Sequence, residues 1–155
     1  MPTTLVLGYD GSDCSQTALA RTIDLAAAIP DAAVVVVYAF EFSIGYVPMG
    51  MTDSPLMMSA EFDDHAQLVR GYGEEQAGSA AEKLAAAGVK AETLVAEGRP
   101  VEVLLEAAEE HGAALIVVGS HGHGAVSAAF LGSTALKLLH HSSLPVLVVP
   151  RHDKK

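Results

Sequence analysis

The chain has 155 residues, half of them apolar and 18% charged, with a formal net charge of −10. This size and composition fit one globular domain over residues 1–155, able to bury a core without disulfides or a structural metal, and they exclude a disordered chain. Nine Lys and Arg in all, scattered along the sequence, argue against nucleic acid as a partner, because phosphate-backbone affinity needs clustered cations. The apolar runs fall far short of the ~20 residues of a membrane-spanning helix, so no membrane partner is expected. With Cys14 as the single cysteine and no basic-then-apolar leader pattern at the N-terminus, the expected location is the cytoplasm.

Thr4 to Gly8 reads as a first strand, followed by the polar turn Gly8-Tyr9-Asp10-Gly11-Ser12. Asp13 is the expected N-cap of the first helix, with Gln16 three residues on. Ala18, Leu19, Thr22, Ile23 and Ala26 share one face of it, and it runs to about Ile29. Ala33 to Phe40 is the second strand. Glu41 to Phe62 holds Gly45, Pro48, Gly50, Pro55 and four of the five methionines, and reads as a long loop. Such a loop is either a lid or partner surface, which Met side chains suit, or a poorly ordered insertion.

A second helix is expected over Asp63 to Ala87, although Gly71, Gly73 and Gly78 each cost it about 1 kcal/mol relative to Ala. Tertiary packing must therefore hold it. Val89 to Ala96 is the third strand, and Pro100 opens a third helix on which Val101, Leu104, Leu105 and Ala108 recur at helical spacing before His111-Gly112 stops it. Ala114 to Gly119 is the fourth strand, Gly132-Ser133-Thr134 opens a fourth helix, and Pro145 to Val149 is the last strand. Strands that are apolar throughout, alternating with helices, indicate an α/β fold whose parallel sheet is covered on both faces.

The segment that carries chemistry is Gly119-Ser120-His121-Gly122-His123-Gly124, directly after the fourth strand, together with Gly132-Ser133-Thr134. In an open parallel sheet, ligands bind at the carboxyl ends of strands, and a helix N-terminus offers unpaired N–H groups to an anion. Glycines at 119, 122 and 124 permit left-handed backbone and close approach, and the hydroxyls of Ser133 and Thr134 can donate to phosphate. The plainer alternative is a loop whose glycines serve only to turn the chain, with Ser133 as an N-cap. The convergence of these features at one strand end favours phosphate. A Walker A loop is disfavoured because no Lys follows Gly132, and a dinucleotide fingerprint because Ser127 replaces its third glycine. Asp10, at the end of the first strand, either serves a ribose or magnesium ion or forms the turn before the helix. Topology tips the balance: neighbouring first and fourth strands with opposed crossovers would place both polar loops at one crevice.

These residues resemble the universal stress protein family, in its nucleotide-binding branch, over nearly the whole chain. The family's phosphate signature is Gly, two residues, Gly, nine residues, Gly and then Ser or Thr; it reads here as Gly119, Gly122, Gly132 and Ser133. Val6-Leu7-Gly8-Tyr9-Asp10-Gly11-Ser12 and Leu144-Pro145-Val146-Leu147-Val148-Val149 also resemble its first and last strands. The resemblance implies an open five-stranded parallel sheet ordered 3-2-1-4-5 with helices on both faces, the adenine-nucleotide alpha-hydrolase-like fold. It also implies ATP, or AMP or ADP, across the ends of strands one and four, with magnesium. Asp10 would face the ribose and metal, the backbone of Ala39 would meet adenine, and Gly119, Gly122, Gly132 and Ser133 would hold the phosphates. A homodimer through Pro145 to Val149 is implied as well. Two departures are Ala114, where the family commonly has an acidic residue, and Gly8, where a proline is often found and where an additional N–H could face the ligand.

His121 and His123 lie inside the phosphate loop and are expected to bond phosphate rather than zinc, since no cysteine or carboxylate cluster joins them. His140 and His141 suit the negative end of their helix. Arg99 either reaches the crevice or decorates its rim, and Cys14 is expected to be a buried or inert thiol. The reading is an ATP-binding stress-response dimer with at most slow hydrolysis and no assigned catalytic residue. Its alternatives are a dimeric interaction module without nucleotide, or an enzyme of the adenylyl-transfer or ATP pyrophosphatase type, whose Ser-Gly-Gly-x-Asp-Ser and Lys-Met-Ser-Lys-Ser motifs are missing.

Overall fold

Five aliphatic runs pair side by side in one parallel sheet. The structure, a computed structural model, describes residues 1–41, 55–123 and 130–151, and of 55–62 the backbone alone. The elements are β1 (Thr3–Gly8), α1 (Asp13–Ala28), β2 (Ala32–Phe40), α2 (Pro55–Ala86), β3 (Lys90–Glu97), α3 (Pro100–Glu110), β4 (Leu115–Gly119), α4 (Ser133–His141) and β5 (Val146–Val149). Strand order is β3-β2-β1-β4-β5 and every pairing is parallel, as the resemblance implied.

Successive strand residues point to opposite faces, and both faces are covered here. Leu5, Leu7, Val34, Val36 and Val117 pack with Ala18 and Leu19 of α1 and Ala77, Ala80 and Leu84 of α2. Val6, Val35, Val37, Ile116 and Val118 pack with Leu104 and Ala107 of α3 and Leu138 of α4. Burial on both sides is why these strands are apolar without alternation. The chain winds outward from β1 to β3 with α1 and α2 on one face, then crosses by α3 to β4 on the other. Winding therefore reverses between β1 and β4, and their carboxyl ends diverge into a crevice.

Two expectations are corrected. The N-cap of α1 is Ser12, not Asp13: its Oγ accepts the Ser15 N–H at 3.3 Å. The turn closes one residue early because Gly11 takes a φ of +81° and the Asp10 carboxylate accepts the Ser12 N–H at 2.9 Å. Second, α2 starts at Pro55, so the stretch expected as loop to Phe62 is helical over its last part. Proline breaks a helix interior but fits the first turn, where its missing N–H has no partner to lose, and Leu and Met extend a helix well. The rest of that expected loop, residues 42–54, lies outside the described residues. The expected tertiary support for α2 is found at Gly73, which is a packing requirement: a Cβ there would stand 2.6 Å from the Tyr38 ring. Close passage of α2 over β2 thus supports a helix that its glycines weaken, and Tyr72 meets Tyr38 edge-on with ring centroids 6.2 Å apart.

Among the described residues no helix is long and apolar enough to cross a membrane.

Candidate nucleotide cleft

A cleft of about 610 Å³ opens at the carboxyl ends of β1 and β4, within the size range of small-molecule sites. Because β2 and β4 flank β1 on opposite sides, the cleft has two different walls. Val37 and Ala39 of β2, with Pro100 and Leu104 of α3, line it with apolar surface. Across from them lie Ser120 to His123 after β4 and the first turn of α4 with Ser133 and Thr134. Between these walls lie Gly8, Asp10 and Gly119, at the strand ends. The structure thus gathers the expected site residues along one cleft, including Gly132 at the start of α4. Gly124 lies outside the described residues. Arg99 is not among the lining residues and pairs instead with Glu102 at 3.6 Å. His140 and His141 occupy the last turn of α4, as expected.

The polar wall offers a set of backbone donors. The first cap bond of α4 runs from Leu136 N–H to the Gly132 carbonyl at 3.0 Å. The N–H groups of Ser133, Thr134 and Ala135 precede it and have no helical acceptor, and the helix dipole adds to their pull on an anion. Asp10 contributes the carboxylate of the cleft, with Oδ1 engaged by Ser12 N–H and Oδ2 facing Gly122, where a Cβ would stand 3.0 Å away. It both forms the turn and lines the cleft, so the two sequence readings of Asp10 are compatible.

The loop histidines already have protein partners. His123 Nε2 donates to the Asp10 carbonyl at 2.7 Å, tying the loop after β4 to the loop after β1. His121 Nδ1 lies 2.8 Å from Ser120 Oγ, and its Nε2 donates to the Phe130 carbonyl.

The universal stress protein family, as a sequence profile, matches residues 1–150. The chain belongs to this family. A relative from Thermus aquaticus, the universal stress protein in the QAH/OAS sulfhydrylase 3' region, is 36% identical over 147 residues, which is 94% of this chain and 97% of its own length. The solved structure of the hypothetical protein MJ0577 shares the fold with a TM-score of 0.81 at 20% identity, covering 99% of both chains. A universal stress protein solved in complex with cAMP has a TM-score of 0.66 at 29% identity, over 97% of this chain and 98% of its own.

The family's glycine spacing has a physical reason in this chain that its sequence does not reveal. Neither Gly119 nor Gly122 takes a positive φ, so left-handed backbone is not what they supply. A Cβ on Gly119 would lie 2.8 Å from the backbone carbon and Cβ of Cys14, where the first turn of α1 crosses the end of β4. A Cβ on Gly132 would lie 2.9 Å from the Ser120 carbonyl oxygen, which accepts the Gly132 N–H at 2.7 Å. Cys14 is buried in that contact, as the expectation of a buried thiol had it. Sequence reasoning missed Leu104, Val118 and Tyr9 as cleft residues. The first two read only as core, and the side of the sheet on which α3 returns decides their second role; Tyr9, between Gly8 and Asp10, was the legible one.

Burial raises the Tyr9 hydroxyl above the usual tyrosine range, with Asp10 and then Tyr72 adding to it. Tyr38 is raised by burial, then by Tyr72 and Asp10. The unfolded chain releases such protons near pH ~10, so above that pH it binds fewer protons than the folded state. This stability is complete below about pH 10 and is lost as pH rises through the folded-state values. Urea midpoints are expected to fall as pH rises above ~10, and to fall less steeply in a Tyr9→Phe/Tyr38→Phe double variant. Equal slopes in parent and variant would refute this origin.

Proposed function

We propose that this universal stress protein binds an adenine nucleotide, ATP or its mono- or diphosphate, in the cleft between β1 and β4. The observation that carries the reading is the pairing of an apolar wall at Val37, Ala39 and Leu104 with a facing helix N-terminus whose first N–H groups have no helical acceptor. A flat base suits the first and phosphates the second. The 29% identical structure solved with cAMP supports the ligand class. In this reading Ala39 meets adenine through its backbone, Asp10 faces the ribose, and Gly119, Gly122, Gly132, Ser133 and Thr134 surround the phosphates.

Among the described residues no group of three or more His, Cys, Asp or Glu could hold a metal ion. Among the described residues Asp10 is the acid that lines the cleft, and one carboxylate with phosphate oxygens is an ordinary magnesium environment. Magnesium would therefore arrive with the nucleotide, neutralising phosphate charge, with Asp10 as its protein ligand. No residue is assigned as a base for hydrolysis. The role is nucleotide-dependent regulation in the cytoplasm rather than turnover.

The test is thermal unfolding across an ATP and magnesium titration, after any nucleotide released by denaturing the purified protein has been identified. A midpoint that rises with ligand concentration, by about 2.7 kcal/mol of stability at a hundred times Kd, is the expected result. One observation favours a second reading, an interaction module without nucleotide: Gly119 and Gly132 are required by packing whether or not a ligand binds. No released nucleotide and no shift would establish it.

We further propose a homodimer through Pro145 to Val149. Among the described residues β5 pairs with β4 alone, leaving its outer edge free, and Leu147, Leu136 and Leu139 are exposed there and on α4. An open edge strand with apolar neighbours is a template for pairing. Leu147→Glu is expected to turn a dimer into a monomer in light scattering; a parent that is monomeric at tens of micromolar would dismiss the proposal.

A further inference from the structure

We infer that His121 is a positioning residue, which closes the neck of the loop after β4 as its neutral Nε2–H tautomer and is not a ligand to phosphate. The inference deepens the nucleotide reading of the cleft. A carbonyl oxygen can only accept, so the contact from His121 Nε2 to the Phe130 carbonyl places a proton on Nε2. In a neutral imidazole Nδ1 then carries the lone pair, and Ser120 Oγ, 2.8 Å away, donates to it. A charged ring would turn Ser120 Oγ into an acceptor and, among the described residues, leave its own proton facing Cys14 Sγ, a weak acceptor at 3.9 Å. Both ring nitrogens are thus committed to the protein, and neither is left for a ligand.

These bonds span the neck of the segment in two steps. Ser120 carbonyl accepts Gly132 N–H at 2.7 Å, and further in, one residue on after Ser120 and two back from Gly132, His121 reaches the Phe130 carbonyl. Gly132 is the N-cap of α4. The neck therefore fixes where the first turn of α4, with its free N–H groups, enters the cleft. Ser120 and His121 have the connectivity of a nucleophile and a base, but Ser120 is only 5% exposed and its hydroxyl lies against Cys14. The pair ties the end of β4 to the approach of α4.

The tautomer is read by long-range proton–nitrogen NMR of the imidazole in the full, ligand-free chain, with the signal assigned through His121→Gln. The Nε2–H pattern is expected, unchanged when ATP is added. An Nδ1–H tautomer, an imidazolium at neutral pH, or a change of state on adding ATP would overturn the inference. His121→Gln keeps an N–H for the Phe130 carbonyl, whereas His121→Ala keeps none. Amide exchange in the first turn of α4 is expected to quicken in His121→Ala and to stay near parent in His121→Gln. ATP affinity should drop about 3- to 10-fold in the alanine variant, the worth of one hydrogen bond, and under 3-fold in the glutamine variant. Equal losses in both, or no change in either, would also overturn it. If the parent itself does not bind ATP, the nucleotide reading fails, while the tautomer and the amide exchange still decide the role of His121.

Discussion

Gly119→Ala is expected to destabilise the nucleotide-free protein by about 1–3 kcal/mol, the usual cost of forcing an atom into a packed site. The added methyl would stand 2.8 Å from the backbone of Cys14, and main chain on both sides of the contact has little freedom to yield. For a chain of this size each kcal/mol lowers Tm by roughly 2–4 °C, so a scan without ligand reads the effect directly. Gly132→Ala should move in the same direction, because its methyl would meet the Ser120 carbonyl oxygen at 2.9 Å. A glycine kept only for close approach of phosphate would behave differently: ligand-free stability would hold and ATP affinity alone would fall. That pattern in both variants would overturn the packing account.

Leu138→Ala should cost about 2–5 kcal/mol, the range for emptying a buried leucine site, and should weaken the proposed ATP binding as well. The helix α4 has nine residues, of which Ala135 and Leu138 are the buried ones. Leu138 is fully buried among Ile116, Val118 and Leu104. Without it α4 loses its main attachment to the sheet, and the N–H groups of its first turn lose their aim into the cleft. Leu84→Ala, equally buried on the α2 face of the sheet, is the control: a comparable fall in Tm with ATP affinity kept, measured by calorimetry at a temperature where both variants are folded. Parent-like affinity in Leu138→Ala would show that the α4 terminus does not contribute to binding.

Much of the proposed site is visible along the chain because strand-end residues are neighbours of the strands that hold them. Asp10 follows β1 and Ser120 follows β4, and parallel strands bring their carboxyl ends to one edge of the sheet. The fold class was equally legible, since an apolar run between helices carries its burial in its own composition. Pro55 was misread because proline has opposite meanings at the start and in the middle of a helix, and the residues around it do not say which applies. The cap of α1 moved from Asp13 to Ser12 because the bond from Ser12 N–H to Asp10 settled where the turn closes.

What the sequence determined by itself was therefore local: which segments are strands, which are helices, and where glycines, hydroxyls and a carboxylate cluster at strand ends. Tertiary structure alone decided why they are needed. Gly119 must be small because Cys14, more than a hundred positions earlier, crosses it, and Gly73 because Tyr38 lies beneath it. His121 is taken up by Ser120 and Phe130 instead of being free for a ligand. The contacts at Gly119 and Gly73 exist only once the strands have paired and the crossovers have packed their helices, and no property of the residues taken one by one encodes a distance between segments so far apart in the chain.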